Sequence, residues 1–128
     1  LDGEYKTVIP VFIEQILNNK PMTIRGDGEQ RRDFTHVDDV VEANIKAGFN
    51  AKIPIFECKG DVFNIGNGDN RSVNQIADMI GGDRINIEPV IEPRETLADN
   101  SKAYKVLGWE PTMKIENWIK TYKEKLGL

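Results

Sequence analysis

Apolar positions along the chain recur with two different periods, and each change of period marks an element. From Val8 to Leu17 they fall at Val8, Ile9, Phe12, Ile13, Ile16 and Leu17, which is a helical stripe. Pro10 sits in the first turn of that helix, where a missing N–H is tolerated. Asn18-Asn19-Lys20-Pro21 ends it. Residues 22–25 read as a short strand, Gly26-Asp27-Gly28 as a turn, and residues 34–37 as extended chain. A helix is predicted over residues 38–47, with Asp38 and Asp39 capping its start and suiting the positive end of its dipole. Residues 61–65 read as a strand buried on both faces, followed by the loop Gly66-Asn67-Gly68-Asp69-Asn70-Arg71. Ser72-x-x-Gln75 forms a capping box ahead of Ile76, Ala77, Met79 and Ile80. Residues 84–91 alternate and break at Pro93. Ser101 is expected to cap a short helix that stops at Gly108, and Ile115, Trp118, Ile119, Tyr122 and Leu126 form the apolar face of a last helix. Strands alternating with helices predict an α/β fold class.

Composition narrows the function classes. The chain has 128 residues, enough for one domain with a modest core. A net charge of −4 argues against a general nucleic-acid footprint, although it leaves room for a local basic pocket. Cys58 is the one cysteine, so no internal disulfide can form, which fits a reducing cytoplasm. One histidine and one cysteine make a structural zinc site improbable, and no metal ligand set is expected. No apolar run is long enough to cross a membrane, and no signal peptide is expected before the first helix. An opening Leu1 without methionine is expected of a piece of something longer.

Several motifs carry less than they promise. The Gly66–Arg71 loop lies between a predicted strand and a predicted helix, as a dinucleotide fingerprint would. Its third glycine position holds Arg71, and the acidic residue expected about 20 residues on is missing. A loop before a capped helix is the simpler reading. His36, the lone histidine, sits between Thr35 and Val37 and has no nucleophile set around it in sequence.

The arginines leave two readings open. Arg31 and Arg32 lead out of a glycine turn into extended chain, where alternate side chains face opposite ways. Arg94 lies in Glu92-Pro93-Arg94-Glu95. A guanidinium is always charged and its fork fits phosphate, so two of these arginines could clamp a diphosphate. They could equally be surface residues neutralised by Glu29, Asp33, Glu92 and Glu95.

Three blocks tip that balance. The segment PMTIRGDGEQRRDFTHVDDVVEA resembles a part of the extended short-chain dehydrogenase/reductases that act on nucleotide-diphosphate sugars, the epimerases and dehydratases, of the UDP-glucose 4-epimerase kind. DVFNIGNGDNRSVNQIADMI resembles that family's next strand and helix, and LADNSKAYKVLGWEPTMKIENWI resembles its closing pattern. The blocks stand in family order and cover almost the whole chain.

The resemblance implies the C-terminal, substrate-binding portion of an extended Rossmann-type fold over residues 1–128, without the N-terminal cofactor domain. It implies that Thr23 and Arg25 hold the nucleotide base, and that Val8, Ile9 and Phe12 line the substrate pocket. Arg32 would grip the diphosphate, with Arg94 as the arginine available near the closing run. An aromatic residue is common where Arg25 stands; here a guanidinium plane would stack on the base instead. The family's Arg-x-Gly-Asp element is shortened to Glu92-Pro93-Arg94. NAD or NADP serves the complete enzymes, with a Tyr-x-x-x-Lys pair as base and partner. Here Tyr5, Tyr104 and Tyr122 are followed four positions later by Ile9, Gly108 and Leu126, so the pair is missing. No catalytic residue and no nicotinamide binding are therefore expected of this chain alone. The expected partners are a nucleotide-diphosphate sugar and the missing N-terminal domain, with self-association through apolar surface that the domain would otherwise cover. A self-standing, non-catalytic module binding a nucleotide sugar or a protein is the alternative, and an independent α/β domain with only structural likeness is a third.

Overall fold

The computed structural model describes residues 7–50 and 60–128. Tyr5 and Cys58 lie outside the described residues. In order the elements are α1 (Val8–Leu17), β1 (Met22–Arg25), β2 (Arg31–Arg32), α2 (Val37–Asn50), β3 (Arg71–Ser72), α3 (Val73–Ile80), β4 (Arg84–Ile87), α4 (Ser101–Leu107) and α5 (Ile115–Leu126). They form two compact units, one of described residues 7–32, 71–95 and 119–128, the other of 33–50, 60–70 and 96–118.

In the first unit β1 and β4 pair in parallel, from Met22 opposite Arg84 to Arg25 opposite Ile87. The period of two in β1 sends Met22 and Ile24 into the core and leaves Thr23 and Arg25 on the other face. Helices α1 and α3 pack on β1 and on each other. Their apolar stripes bury Phe12, Ile13, Val73, Ile76, Ala77 and Ile80. Each large side chain so enclosed contributes about 1.5–3 kcal/mol. The capping box of α3 forms as expected: Gln75 N–H donates to Ser72 Oγ at 3.1 Å, and Ser72 N–H donates to Gln75 Oε1 at 2.9 Å. Strands β2 and β3 form an antiparallel pair, Arg31 opposite Ser72 and Arg32 opposite Arg71. The other edge of β2 meets the segment after β4: Arg31 N–H donates to the Arg94 carbonyl at 2.8 Å.

The second unit is built on α2 and α4. Ala43, Ala103, Leu107 and Trp109 form its core, with Ala47, Phe63, Ile65 and Val106 packed against them. Helix α4 stops at Gly108, whose φ of 62° is left-handed, as the sequence predicted. Trp109 is fully buried, and its Nε1–H donates to the Asp39 carbonyl at 2.8 Å.

Three local expectations are corrected. Residues 61–65 are not a strand: they have no ladder partner among the described residues, and Val62 is 79% exposed. Only Phe63 and Ile65 turn inward, so the run has one buried face rather than two. Helix α2 begins at Val37, and its cap is His36, whose Nδ1 accepts from Asp38 N–H at 3.2 Å. Ser101 is the first residue of α4 rather than its cap; Asp99 Oδ1 accepts from Ser101 N–H at 3.0 Å and does that work.

Candidate functional site

The outward face of β1 forms one wall of a cavity of about 310 Å³ in the first unit. Its floor is Val8, Val11 and Phe12 from α1 and Val73 from the start of α3. Thr23, Arg25, Gln30, Val90 and Glu92 complete it. A second cavity of about 300 Å³ shares Arg25, Gln30, Val90 and Glu92 and adds Gly26, Asp27, Pro89 and Arg94. Thus Val8, Phe12, Thr23 and Arg25 are brought together, with Arg94 in the adjoining cavity. Ile9 and Arg32 line neither of the two, although Arg32 meets the Glu92 carboxylate that borders both.

Polar contacts order the walls. Gln15, on α1, clasps Thr23 twice: its Nε2 donates to Thr23 Oγ1 at 2.8 Å, and its Oε1 accepts from Thr23 N–H at 3.0 Å. The exposed edge of β1 is thereby tied to α1, and this Thr23 N–H is already committed. Gln30, only 6% exposed, donates from Nε2 to the Arg25 carbonyl and to Glu92 Oε1, both at 3.0 Å.

The three arginines differ in what they meet. Arg32 donates from one nitrogen to the Arg31 carbonyl at 2.7 Å and from the other to Glu92 Oε2 at 2.6 Å. Arg94 forms a two-pronged fork on Asp27, both contacts 2.8 Å. That fork, chiefly its hydrogen bonds, lowers the Asp27 carboxyl to about 2 and raises Arg94 above its ordinary value. Both members are well exposed, so the pair adds little stability. Arg25 has no hydrogen-bond or ion partner for its guanidinium among the described residues, and it borders both cavities.

Sequence reasoning missed Gln30, Val73 and Glu92. Gln30 carries a signal only in hindsight, as an amide between a glycine turn and two arginines. Glu92 was legible as an acidic neighbour of the arginines, but not as the partner of Arg32 in particular.

Comparison with known proteins gives this geometry its context. The chain belongs to the NAD dependent epimerase/dehydratase family, whose profile matches residues 1–66. It is 35% identical over 117 residues to UDP-glucuronate 4-epimerase of Thermodesulfobacterium geofontis, a match covering 85% of this chain and 34% of that protein. Among solved structures, UDP-glucose 4-epimerase of Thermotoga maritima with UDP-glucose superposes with a TM-score of 0.77 at 32% identity, over 98% of this chain and 41% of that one. UDP-glucuronic acid 4-epimerase of Bacillus cereus, in complex with UDP-glucuronic acid and NAD, gives 0.76 at 30% identity, over 94% and 40%. The chain spans about a third of the length of the curated relatives it matches first. The family kinship and the α/β class expected from the sequence are both met.

The loop that most resembles a dinucleotide cradle does not fit one. The amides of Asn67 and Gly68 donate to the Asp33 carboxylate at 2.8 and 3.0 Å. At the start of α3, Val73 N–H donates to the Gln30 carbonyl, Asn74 N–H to the Gly28 carbonyl and Gln75 N–H to Ser72. The donors a pyrophosphate would need are already committed.

Proposed function

We propose that this chain is the substrate-binding, C-terminal portion of an NAD-dependent nucleotide-sugar epimerase or dehydratase, and that its two adjoining cavities take the nucleotide diphosphate of a UDP-sugar-like ligand. The observation that carries the reading is the cavity over β1. Apolar Val8, Val11, Phe12 and Val73 sit beneath Thr23 and Arg25, whose guanidinium has no partner among the described residues. Apolar side chains suit a base, a hydroxyl fixes its orientation, and guanidinium groups suit phosphate or the face of a base. Val8, Phe12, Thr23 and Arg25 act on the base side, Arg32 and Arg94 on the diphosphate side, and Ile9 supports α1 from outside the cavity.

Hydride transfer needs a cofactor cradle and a proton acceptor. The sequence has no Tyr-x-x-x-Lys pair, so the remaining part of such an enzyme supplies both. The reading places the protein in cytoplasmic carbohydrate metabolism, as an isomerase component with no nucleic acid among its partners. No helix among the described residues is long and apolar enough to cross a membrane.

The test is calorimetric titration of the chain with UDP, UDP-glucose and uridine. Weak UDP binding is expected, with Arg25→Ala lowering it about threefold to tenfold, as for a partly exposed charged contact. Equal binding of UDP by the chain and by Arg25→Ala would remove Arg25 from the site.

A further inference from the structure

Asn67 is the one asparagine in the chain that is followed by a glycine. In an open chain that pair is chemically unstable. The glycine amide nitrogen attacks the asparagine side-chain carbonyl carbon: a C–N bond forms, the bond to the side-chain nitrogen breaks, and ammonia leaves a succinimide ring. Water then opens the ring to aspartate or isoaspartate. No oxidant or cofactor is consumed, and glycine has no Cβ to obstruct the approach. In the second unit both reacting groups are tied down. Asn67 Nδ2, the leaving nitrogen, donates to the Phe34 carbonyl at 2.7 Å and to the Met113 carbonyl at 3.3 Å. Gly68 N–H, the attacking group, donates to Asp33 Oδ2 at 3.0 Å, and Asn67 N–H donates to Asp33 Oδ1 at 2.8 Å. The carboxylate is itself fixed by Ala98 N–H at 3.1 Å and the Thr35 hydroxyl at 3.3 Å. None of these residues lines either cavity described above.

We propose that Asn67-Gly68 is a self-modification site held shut by Asp33: the chain deamidates there when the contacts of Asp33 open, and the product bars their return. Gly68 is exposed, so water and hydroxide reach it, and hydrogen bonding rather than burial does the shielding. Attack requires the Gly68 nitrogen to lose its proton. That proton lies on a carboxylate, which is far too weak a base to take it and whose negative charge opposes a second one beside it. Attack also requires the Asn67 side chain to leave both of its carbonyl acceptors. Modification therefore proceeds at a rate set by the open fraction of this part of the unit. The product does not fit the closed form. An aspartate at position 67 has no N–H to give the Phe34 and Met113 carbonyls, and it sets a carboxylate against two carbonyl oxygens with Asp33 close by. An isoaspartate also lengthens the backbone by one carbon. Each opening that ends in reaction is thus recorded permanently in the chain.

The experiment incubates the chain at mildly alkaline pH in native buffer, in a graded series of urea and in fully unfolding urea, and reads conversion at Asn67 by protease digestion and mass spectrometry. Conversion is expected to be about a hundredfold slower in native buffer than in the unfolded chain, and to rise along the urea series with the opened fraction. Asp33→Asn keeps the size and removes the charge. Its conversion in native buffer is expected to be about tenfold faster than the parent's, with the two equal when unfolded. Thermal unfolding checks that this variant folds; if it does not, the urea series on the parent decides alone. Asn67→Asp carries the product's charge and is expected to unfold at lower urea than the parent. Equal conversion of the native and unfolded parent, no conversion of the unfolded chain, or a folded Asp33→Asn that converts no faster than the parent overturns the proposal. An Asn67→Asp midpoint equal to the parent's overturns the bar to reclosure.

Discussion

The carboxylate of Asp39 in α2 accepts from both the backbone N–H and the hydroxyl of Thr112, at 3.0 and 2.7 Å, across 73 residues of sequence. Met113 N–H adds a third donor at 3.1 Å. Burial by itself would raise this carboxyl, and the hydrogen bonds from Thr112 and Met113 more than offset it, so the folded value lies below the ordinary 3.8. Asp39→Asn replaces an acceptor with an amide that faces donors, and is expected to destabilise the chain by about 2–3 kcal/mol in urea unfolding. The sign of the pH effect follows from the lowered value. Between the folded and ordinary values the unfolded chain binds more protons, so this contribution is complete above about pH 4 and is lost as pH falls through the folded value. Parent and Asp39→Asn stabilities that converge toward low pH would bear this out; a constant gap would contradict it.

Two glycine-to-alanine changes should have opposite signs. At Gly28, φ is +75°, and an added Cβ would press on the Asn74 side chain and come within 2.8 Å of Ile24 Cγ2. Gly28→Ala is expected to cost about 2–4 kcal/mol. Gly48 lies in α2 with nothing within 4 Å of its would-be Cβ, so Gly48→Ala is expected to stabilise by about 0.5–1 kcal/mol. Denaturant midpoints of the two variants check both signs at once.

Helix α2 carries Val37, Val41, Ile45 and Phe49 in steps of four, exposed by 65%, 49%, 47% and 67%. Residues four apart lie on one helix face, so these side chains form a continuous apolar stripe. The isolated chain is expected to self-associate and to bind an apolar dye. Val41→Lys with Phe49→Lys should lower the sedimenting mass at a given concentration. A parent chain that stays monomeric at high concentration, with no dye-accessible surface, would rule the stripe out as a contact.

The chain alone is expected to turn over no sugar nucleotide. The described loop that most resembles a cofactor cradle spends its amides on Asp33, and the sequence has no Tyr-x-x-x-Lys pair. Incubation with NAD and several UDP- and dTDP-sugars should yield neither product sugar nor reduced cofactor. Turnover by the pure chain would show that the chemistry resides in residues given other roles here.

The arginines show where reading by sequence stops. Their charge and their places along the chain are local facts that left a phosphate clamp and a neutralised surface both open for Arg31, Arg32 and Arg94; the family resemblance was needed to nominate Arg25, Arg32 and Arg94. Partner choice is not local. Arg32 meets Glu92 60 residues on, and Arg94 meets Asp27 67 residues back. These encounters follow because β2 lies alongside the segment after β4, an alignment set by the parallel β1–β4 ladder and the turn between β1 and β2.

Features that depend on spacing along the chain are legible in the residues alone. Period fixed the stripe of α1 and the inward side of α5; residue type fixed the capping box of α3 and the glycine stop of α4. The three motif blocks, taken in order, were enough for the family. Packing set the rest: Asp39 anchors Thr112 and Met113, His36 caps α2, residues 61–65 lack a ladder partner among the described residues, and Glu92 rather than open solvent faces Arg32. Helix and strand periods are written in neighbouring residues, whereas a hydrogen bond or ion pair between distant residues exists only once the intervening chain has been packed into place.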